Sequence, residues 1–148
     1  MVYIGIDPGA KGGWSIIYDN GKVESHGWDD VNFLASMREL WDKGVTTRCA
    51  LEKVGAMPGQ GVVSMYNFGK SVGFIEGVLR AYDISYQTVP PQTWKKSFSL
   101  LHQDKNKSIE TAQKLFPKVS LLAPSRSQKP SDGVAESLLI AEYARRHF

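Results

Sequence analysis

At 148 residues the chain has room for one domain with a real hydrophobic core, expected over 1–148, and none for a second. A hydrophobic content of 42% beside 22% charged residues excludes an intrinsically disordered chain. A single cysteine, Cys49, excludes an intramolecular disulfide, and the lack of a signal peptide or of any run near membrane-span length predicts a cytoplasmic protein, in a bacterial or phage-infected cell, with no membrane partner.

The chain opens on Val2, Tyr3, Ile4 and Ile6, a β-favouring run broken by Asp7, Pro8 and Gly9. Lys11 to Gly13 turns the chain, WSIIY (14–18) reads as a second strand, DNGK (19–22) as a hairpin turn and KVESHGW (22–28) as a third strand. Asp7 thus ends the first strand of an antiparallel meander. Taken alone it suits an Asp-Pro turn as well as a metal site. A glycine-rich phosphate cradle is a further reading, but the Lys and Ser/Thr pattern of a P-loop is absent.

Val31 to Trp41 carries Phe33, Leu34, Met37, Leu40 and Trp41 at helical spacing. TTRCALEKV (46–54) follows as a strand in which Glu52 closes an apolar run just as Asp7 does. If this strand pairs beside the first, the two acids stand together at one sheet edge; alone, Glu52 is an ordinary solvated strand end. Cys49, inside the same apolar run, reads as an inert core thiol. Gly55 to Ser64 is a glycine-rich loop after a candidate acid, suited to flanking a substrate groove. In FGKSVGFIEGVL (68–79), Gly69, Gly73 and Gly77 recur every fourth residue, a smooth helical ridge for packing on the chain's own sheet or on a second copy.

Charge is unevenly spread. Residues 1–89 carry 8 basic and 10 acidic residues, residues 90–148 carry 10 and 5, for the total of +3. The densest basic stretch, Trp94 to Lys118, holds Lys95, Lys96, Lys105, Lys107, Lys114 and Lys118, and suits a phosphate backbone. Within it KNKSIETAQKLF (105–116) reads as a helix burying Ile109, Ala112, Leu115 and Phe116. The loop Ser120 to Pro130 brings Arg126 and Lys129 just ahead of the last helix. That helix, SDGVAESLLIAEYARR (131–146), has a cap at Ser131 and apolar positions Val134, Leu138, Leu139, Ala141 and Tyr143. Asp132 and Glu136 lie four apart and share a face; as bare charges they repel, and around a cation they cooperate.

Four acids from three elements make an oxygen-rich site for hard divalent ions, as two-metal phosphodiester chemistry requires. No Ser/His/Asp or Cys/His arrangement competes with this. His26, His102 and His147 match no motif and read as surface or packing residues.

The segments GIDPGAKGGWSII, ALEKVGAMPGQGVVSMYNFGKSVGFIEGVL, VPPQTWKK and SDGVAESLLIAEYARR, in that order, resemble the RuvC-type Holliday-junction resolvases of the RNase H-like superfamily, most of all their short bacteriophage versions. The resemblance implies an α/β fold with a five-stranded mixed sheet, three strands antiparallel and two parallel, flanked by helices. It also implies a homodimeric, Mg²⁺-dependent endodeoxyribonuclease of recombination and repair that cuts branched DNA to 5′-phosphate and 3′-hydroxyl ends. Two Mg²⁺ ions (or Mn²⁺) about 3.5–4 Å apart would share Asp7 and take further ligands from Glu52, Asp132 and Glu136. Phosphate contacts would fall to Lys95, Lys96, Lys105, Lys107, Arg126 and Lys129.

The chain departs from the bacterial pattern twice. The acid expected three residues before Glu136 is replaced by Gly133, with Asp132 beside it. The aromatic that follows the strand-four acid is replaced by Lys53, Val54 and Gly55, leaving Tyr66, Met65 and Met57 as wedge candidates if they are not core. Rival functions are an RNase H-like nuclease for RNA or other branched DNA, and a non-catalytic nucleic-acid-binding module. An ATP-binding protein of the actin and sugar-kinase class shares the opening but needs a second lobe, for which 148 residues leave no room.

Overall fold

A computed structural model of the chain describes residues 1–55, 58–123 and 129–148. Five strands and five helices follow one another as β1 (Val2–Asp7), β2 (Gly13–Tyr18), β3 (Val23–Gly27), α1 (Asp30–Asp42), β4 (Thr47–Glu52), α2 (Val62–Ala81), β5 (Tyr86–Val89), α3 (Pro91–Ser97), α4 (Lys105–Leu115) and α5 (Asp132–His147). The sheet order is β3-β2-β1-β4-β5, with β1–β3 antiparallel and β4 and β5 parallel to β1. This is the mixed sheet that the resemblance implies.

Side chains alternate across a strand, so each strand serves two cores. Val2, Ile4 and Ile6 of β1 and Cys49 and Leu51 of β4 face α1 and α2, where Phe33, Met37, Leu40, Ile75, Val78 and Leu79 meet them. Tyr3 and Ala50 face the other way, into the apolar side of α5 and the buried ring of Trp94 on α3. By the same alternation Asp7 and Glu52 point to the α3–α5 side. Burial holds the Cys49 thiol far above its ordinary pKa, as expected of an inert core residue.

Helix α5 lies across β1, β2 and β4 at backbone distance. A Cβ at Gly5 would come 2.1 Å from the Ala141 nitrogen and 2.2 Å from the Ser137 carbonyl oxygen. One hydroxyl chain ties the same layers, with Ser15 of β2 bonded to Ser137 of α5 at 2.8 Å and to Ser25 of β3 at 2.9 Å.

Several expectations need correction. The buried stripe of α1 is Phe33, Met37 and Leu40, while Leu34 and Trp41, each about 100° further round the helix, are exposed. On α4 the buried residues are Ser108 and Ala112, and Leu115 is exposed near the helix end. Helix α2 starts at Val62, so Val62 to Ser64 belong to it and not to the preceding loop. The ridge of Gly69, Gly73 and Gly77 does not pack on the sheet: a Cβ at any of the three meets nothing within 4 Å. Helix α3 has no counterpart in the hydrophobic pattern, being short and opened by Pro91 at its first position.

Gly5→Ala should lose at least about 3 kcal/mol of stability, at or above the upper end of overpacking effects, because backbone blocks the added methyl. Gly77→Ala, in an open helical position, should gain about 0.5–1 kcal/mol. Urea unfolding of both at low protein concentration checks this, and a Gly5→Ala protein of wild-type stability would overturn the backbone-to-backbone packing.

Candidate active site

Parallel pairing sets Ile6 of β1 beside Leu51 of β4, so Asp7 and Glu52, the next residues, close neighbouring strands at one end of the sheet. They lie on the two central strands, at the sheet's end and not at its lateral edge. Ser131 caps α5 by accepting from the Val134 amide, which fixes where the helix begins and puts Asp132 in its first turn. Glu136 follows one turn later on the same side. Asp7 feels the charges of Glu52, Glu136 and Asp132 together, so the four predicted acids converge.

Gly133 shows why the third acid sits at 132. A Cβ there would come 2.0 Å from the Lys11 carbonyl oxygen and 2.8 Å from the Gly12 Cα. The start of α5 rests directly on the β1–β2 turn, and no side chain of any kind fits between them. Gly13, opposite Asp7 in the β1–β2 ladder, is equally confined, 2.4 Å from the His26 carbonyl oxygen. Asp132, the residue before it, has a side chain that is 37% exposed and is paired with Lys105.

Three of the acids have a partner of their own. The indole N–H of Trp94 donates to Glu52 Oε2 at 2.7 Å, and the Ser108 hydroxyl donates to Glu136 Oε1 at 3.3 Å. Lys105, in the first turn of α4, sets its ammonium 3.2 Å from Asp132 Oδ2. Burial raises the Asp7 carboxyl well above the usual carboxylate range, and Glu52, Glu136 and Asp132 push it further, against a weaker pull from Lys105. Burial also raises Glu52, opposed by the Trp94 N–H, by Lys95 and by a hydrogen bond with Asp7. Glu136 is raised by burial as well, with Lys95 opposing and Glu52 and Asp132 adding to the rise. Metal-free, burial and mutual repulsion favour the protonated form of Asp7.

The donors are all oxygens, as hard divalent ions require. Among the described residues no three acidic, histidine or cysteine side chains are yet drawn tightly round one point. The raised Asp7, Glu52 and Glu136 carboxyls mark a field that a cation would relieve. The residues fit such an ion in kind and in field.

The cationic candidates separate. Lys95 and Lys105 act directly on the acids, and Lys95 also lies over the Trp94 ring, 5.6 Å from its centroid. Lys96 is exposed on α3, and Lys107 pairs with Glu110 at 3.2 Å on the outside of α4. Lys129 is exposed just before α5, and Arg126 lies outside the described residues. Of the wedge candidates, Tyr66 is 70% exposed and so is not core; Met65 is half-buried and Met57 lies outside the described residues. Trp94 and Ser108 did not figure among the sequence candidates. The one signal was a tryptophan amid lysines, where an exposed basic face would not call for an indole.

No family model and no curated protein matches the chain. Solved structures do. RuvC of Thermus thermophilus is 16% identical, with a TM-score of 0.59, over 99% of this chain and 96% of that one. The same protein in complex with a Holliday junction substrate gives 17% identity and a TM-score of 0.63, over 99% and 96%. The yeast mitochondrial Holliday junction resolvase Ydc2 gives 15% and 0.54, over 97% of this chain and 77% of that one.

Since native Asp7 keeps its proton to higher pH than the unfolded chain does, ionising it weakens the fold, and stability drains away as pH rises above about 4. Asp7→Asn should therefore melt higher than wild type in EDTA, by a margin that widens from pH 4 to pH 8 and narrows when Mg²⁺ is added. Thermal melts across that range check it; a variant less stable than wild type at pH 7 in EDTA would contradict the electrostatic account. Strand order, helix placement and the match to these solved structures together give the chain the RNase H-like fold of RuvC-type resolvases.

Proposed function

We propose that this protein is a structure-selective endonuclease that resolves four-way DNA junctions by two-metal-ion hydrolysis. The observation that carries the reading is the convergence of Asp7, Glu52, Asp132 and Glu136 in one electrostatic field at the end of the central strands. It is supported by the fold, shared with a RuvC described in complex with a Holliday junction substrate.

Asp7, Glu52, Asp132 and Glu136 would hold the ions, Mg²⁺ or Mn²⁺, which when bound supply a more acidic water and charge neutralisation at the phosphate. The chain's own groups do the rest. Trp94 and Ser108 hold the two glutamates against the sheet. Lys105, released from Asp132, and Lys95 stand where a phosphodiester would meet the site. Lys96, Lys107 and Lys129 extend the cationic surface that would carry the flanking backbone. Hydrolysis by this route leaves a 5′-phosphate and a 3′-hydroxyl.

Resolution needs two matched cuts, which a twofold dimer supplies. The open glycine ridge of α2 supports such a contact, since among the described residues nothing comes within 4 Å of a Cβ added to it, and it continues into exposed Val62, Val63 and Tyr66. Tyr66 then lies where a stacking residue could reach unpaired bases.

Cleavage of a mobile four-way junction, beside linear duplex and an RNA–DNA hybrid, with and without Mg²⁺, tests the proposal. The junction should be cut only with the metal and in preference to both others; preferred cutting of the hybrid would favour an RNA-directed nuclease. Asp7→Asn should bind the junction yet lose at least about a thousandfold in rate, several kcal/mol of transition-state stabilisation. Glu136→Gln and Asp132→Asn should both be severely impaired; a near-normal Asp132→Asn would reduce the site to three carboxylates.

Replacing Lys105 and Lys107 together by Ala should weaken junction binding and flatten the slope of log affinity against log salt by up to about 2. Binding titrations at several salt concentrations measure this, and an unchanged slope would move the phosphate track away from the start of α4.

A further inference from the structure

Trp94 is fully buried, and an indole N–H can only donate. Its acceptor is Glu52, at 2.7 Å, shorter than the 3.3 Å bond from Ser108 to Glu136. Not every buried indole is supplied with a partner among the described residues: Trp14 is equally enclosed, and its Nε1 has no hydrogen bond to any of them. Trp28 spends its N–H on Asp30, at the exposed start of α1. Packing alone therefore does not account for the Trp94 bond.

The local chain is built to deliver it. Pro90 leaves β5 extended and Pro91 occupies the first position of α3, which presets the helix entry. One turn later Trp94 turns inward against Ala50 and the apolar side of α5, while Lys95 and Lys96 keep the outer surface basic. Glu52 has three rotatable bonds and sits where β4 ends. The indole fixes one of its oxygens, Oε2, and with it the plane in which the carboxylate faces Asp7.

We propose that Trp94 is a positioning residue that holds Glu52 in its metal-receiving orientation, so that the ion meets a carboxylate already aimed. The role rests on the metal reading above. Phe would fill nearly the same space without the donor. Trp94→Phe should therefore raise the Mg²⁺ concentration for half-maximal binding by roughly 10–100-fold, as is usual when a ligand's supporting hydrogen bond is lost. The rate at saturating Mg²⁺ should stay close to wild type, since the ligand itself remains.

The test is an Mg²⁺ titration of the ¹⁵N-labelled protein without DNA, following the four indole N–H resonances of Trp14, Trp28, Trp41 and Trp94, with binding measured in parallel by calorimetry. Trp94→Phe assigns its resonance by loss and reports its own fold through the remaining three. The Trp94 signal should move along the binding isotherm in wild type and lose that response in Glu52→Gln. A wild-type protein that binds Mg²⁺ while the Trp94 signal stays still overturns the proposal, as does a folded Trp94→Phe with wild-type affinity. A wild-type protein that binds no Mg²⁺ at all overturns the metal reading itself, and this role with it.

Discussion

Helix α5 touches the sheet through backbone, and the rest of the molecule is arranged round that contact. At Gly5 the helix leaves no space for a methyl group, and at Gly133 its first turn rests on the Lys11 carbonyl with the same closeness. Ordinary helix–sheet packing interposes two layers of side chains. Here they are removed along one line, which lowers Asp132 and Glu136 to the level of the strand ends. Two acids from a helix and two from strands then share one field without long side chains to bridge the gap. A larger residue at either glycine would lift the helix and separate the pairs.

Bringing these acids together works against the fold. Burial and mutual repulsion disfavour the charged forms of Asp7, Glu52 and Glu136. The surroundings compensate in part: α3 offers an indole N–H and Lys95, and α4 offers a hydroxyl and Lys105. The basic second half of the chain therefore has two tasks. Its exposed lysines suit a phosphate backbone, while Lys95 and Lys105 also moderate the acidic cluster with their charge. The cluster thus works against stability, as groups gathered for activity commonly do.

Much of this was legible in the residues. Alternation and turn chemistry placed β1 to β4, the Ser131 cap fixed the start of α5, and the likeness of Asp7 to Glu52 as closers of apolar runs foretold adjacent strands. What escaped has physical reasons. Helix α3 is a single short element entered through proline, too brief for a period to show. The exposure of Leu34, Trp41 and Leu115 reflects helices that touch the sheet along a narrow stripe, which composition does not reveal. Gly133 looked like a missing ligand, although it is a contact point; only the position of the β1–β2 turn shows the difference. Trp94 and Ser108 are joined to their acids across 42 and 28 residues, and no local pattern encodes such a pairing.

The hydroxyl relay from Ser25 through Ser15 to Ser137 has a consequence for precision. An apolar helix on an apolar sheet can slide, because hydrophobic contact rewards area without direction. A buried hydrogen bond tolerates no such drift, since a misplaced hydroxyl in a dry interior goes unsatisfied. Ser137 is the residue next to Glu136, so the relay works as an indexing pin: it admits one setting of the helix and rejects its neighbours, each a full turn or about 5.4 Å away. The carboxylate beside it inherits that tolerance, and the setting of the helix is thus kept in three small hydroxyl side chains.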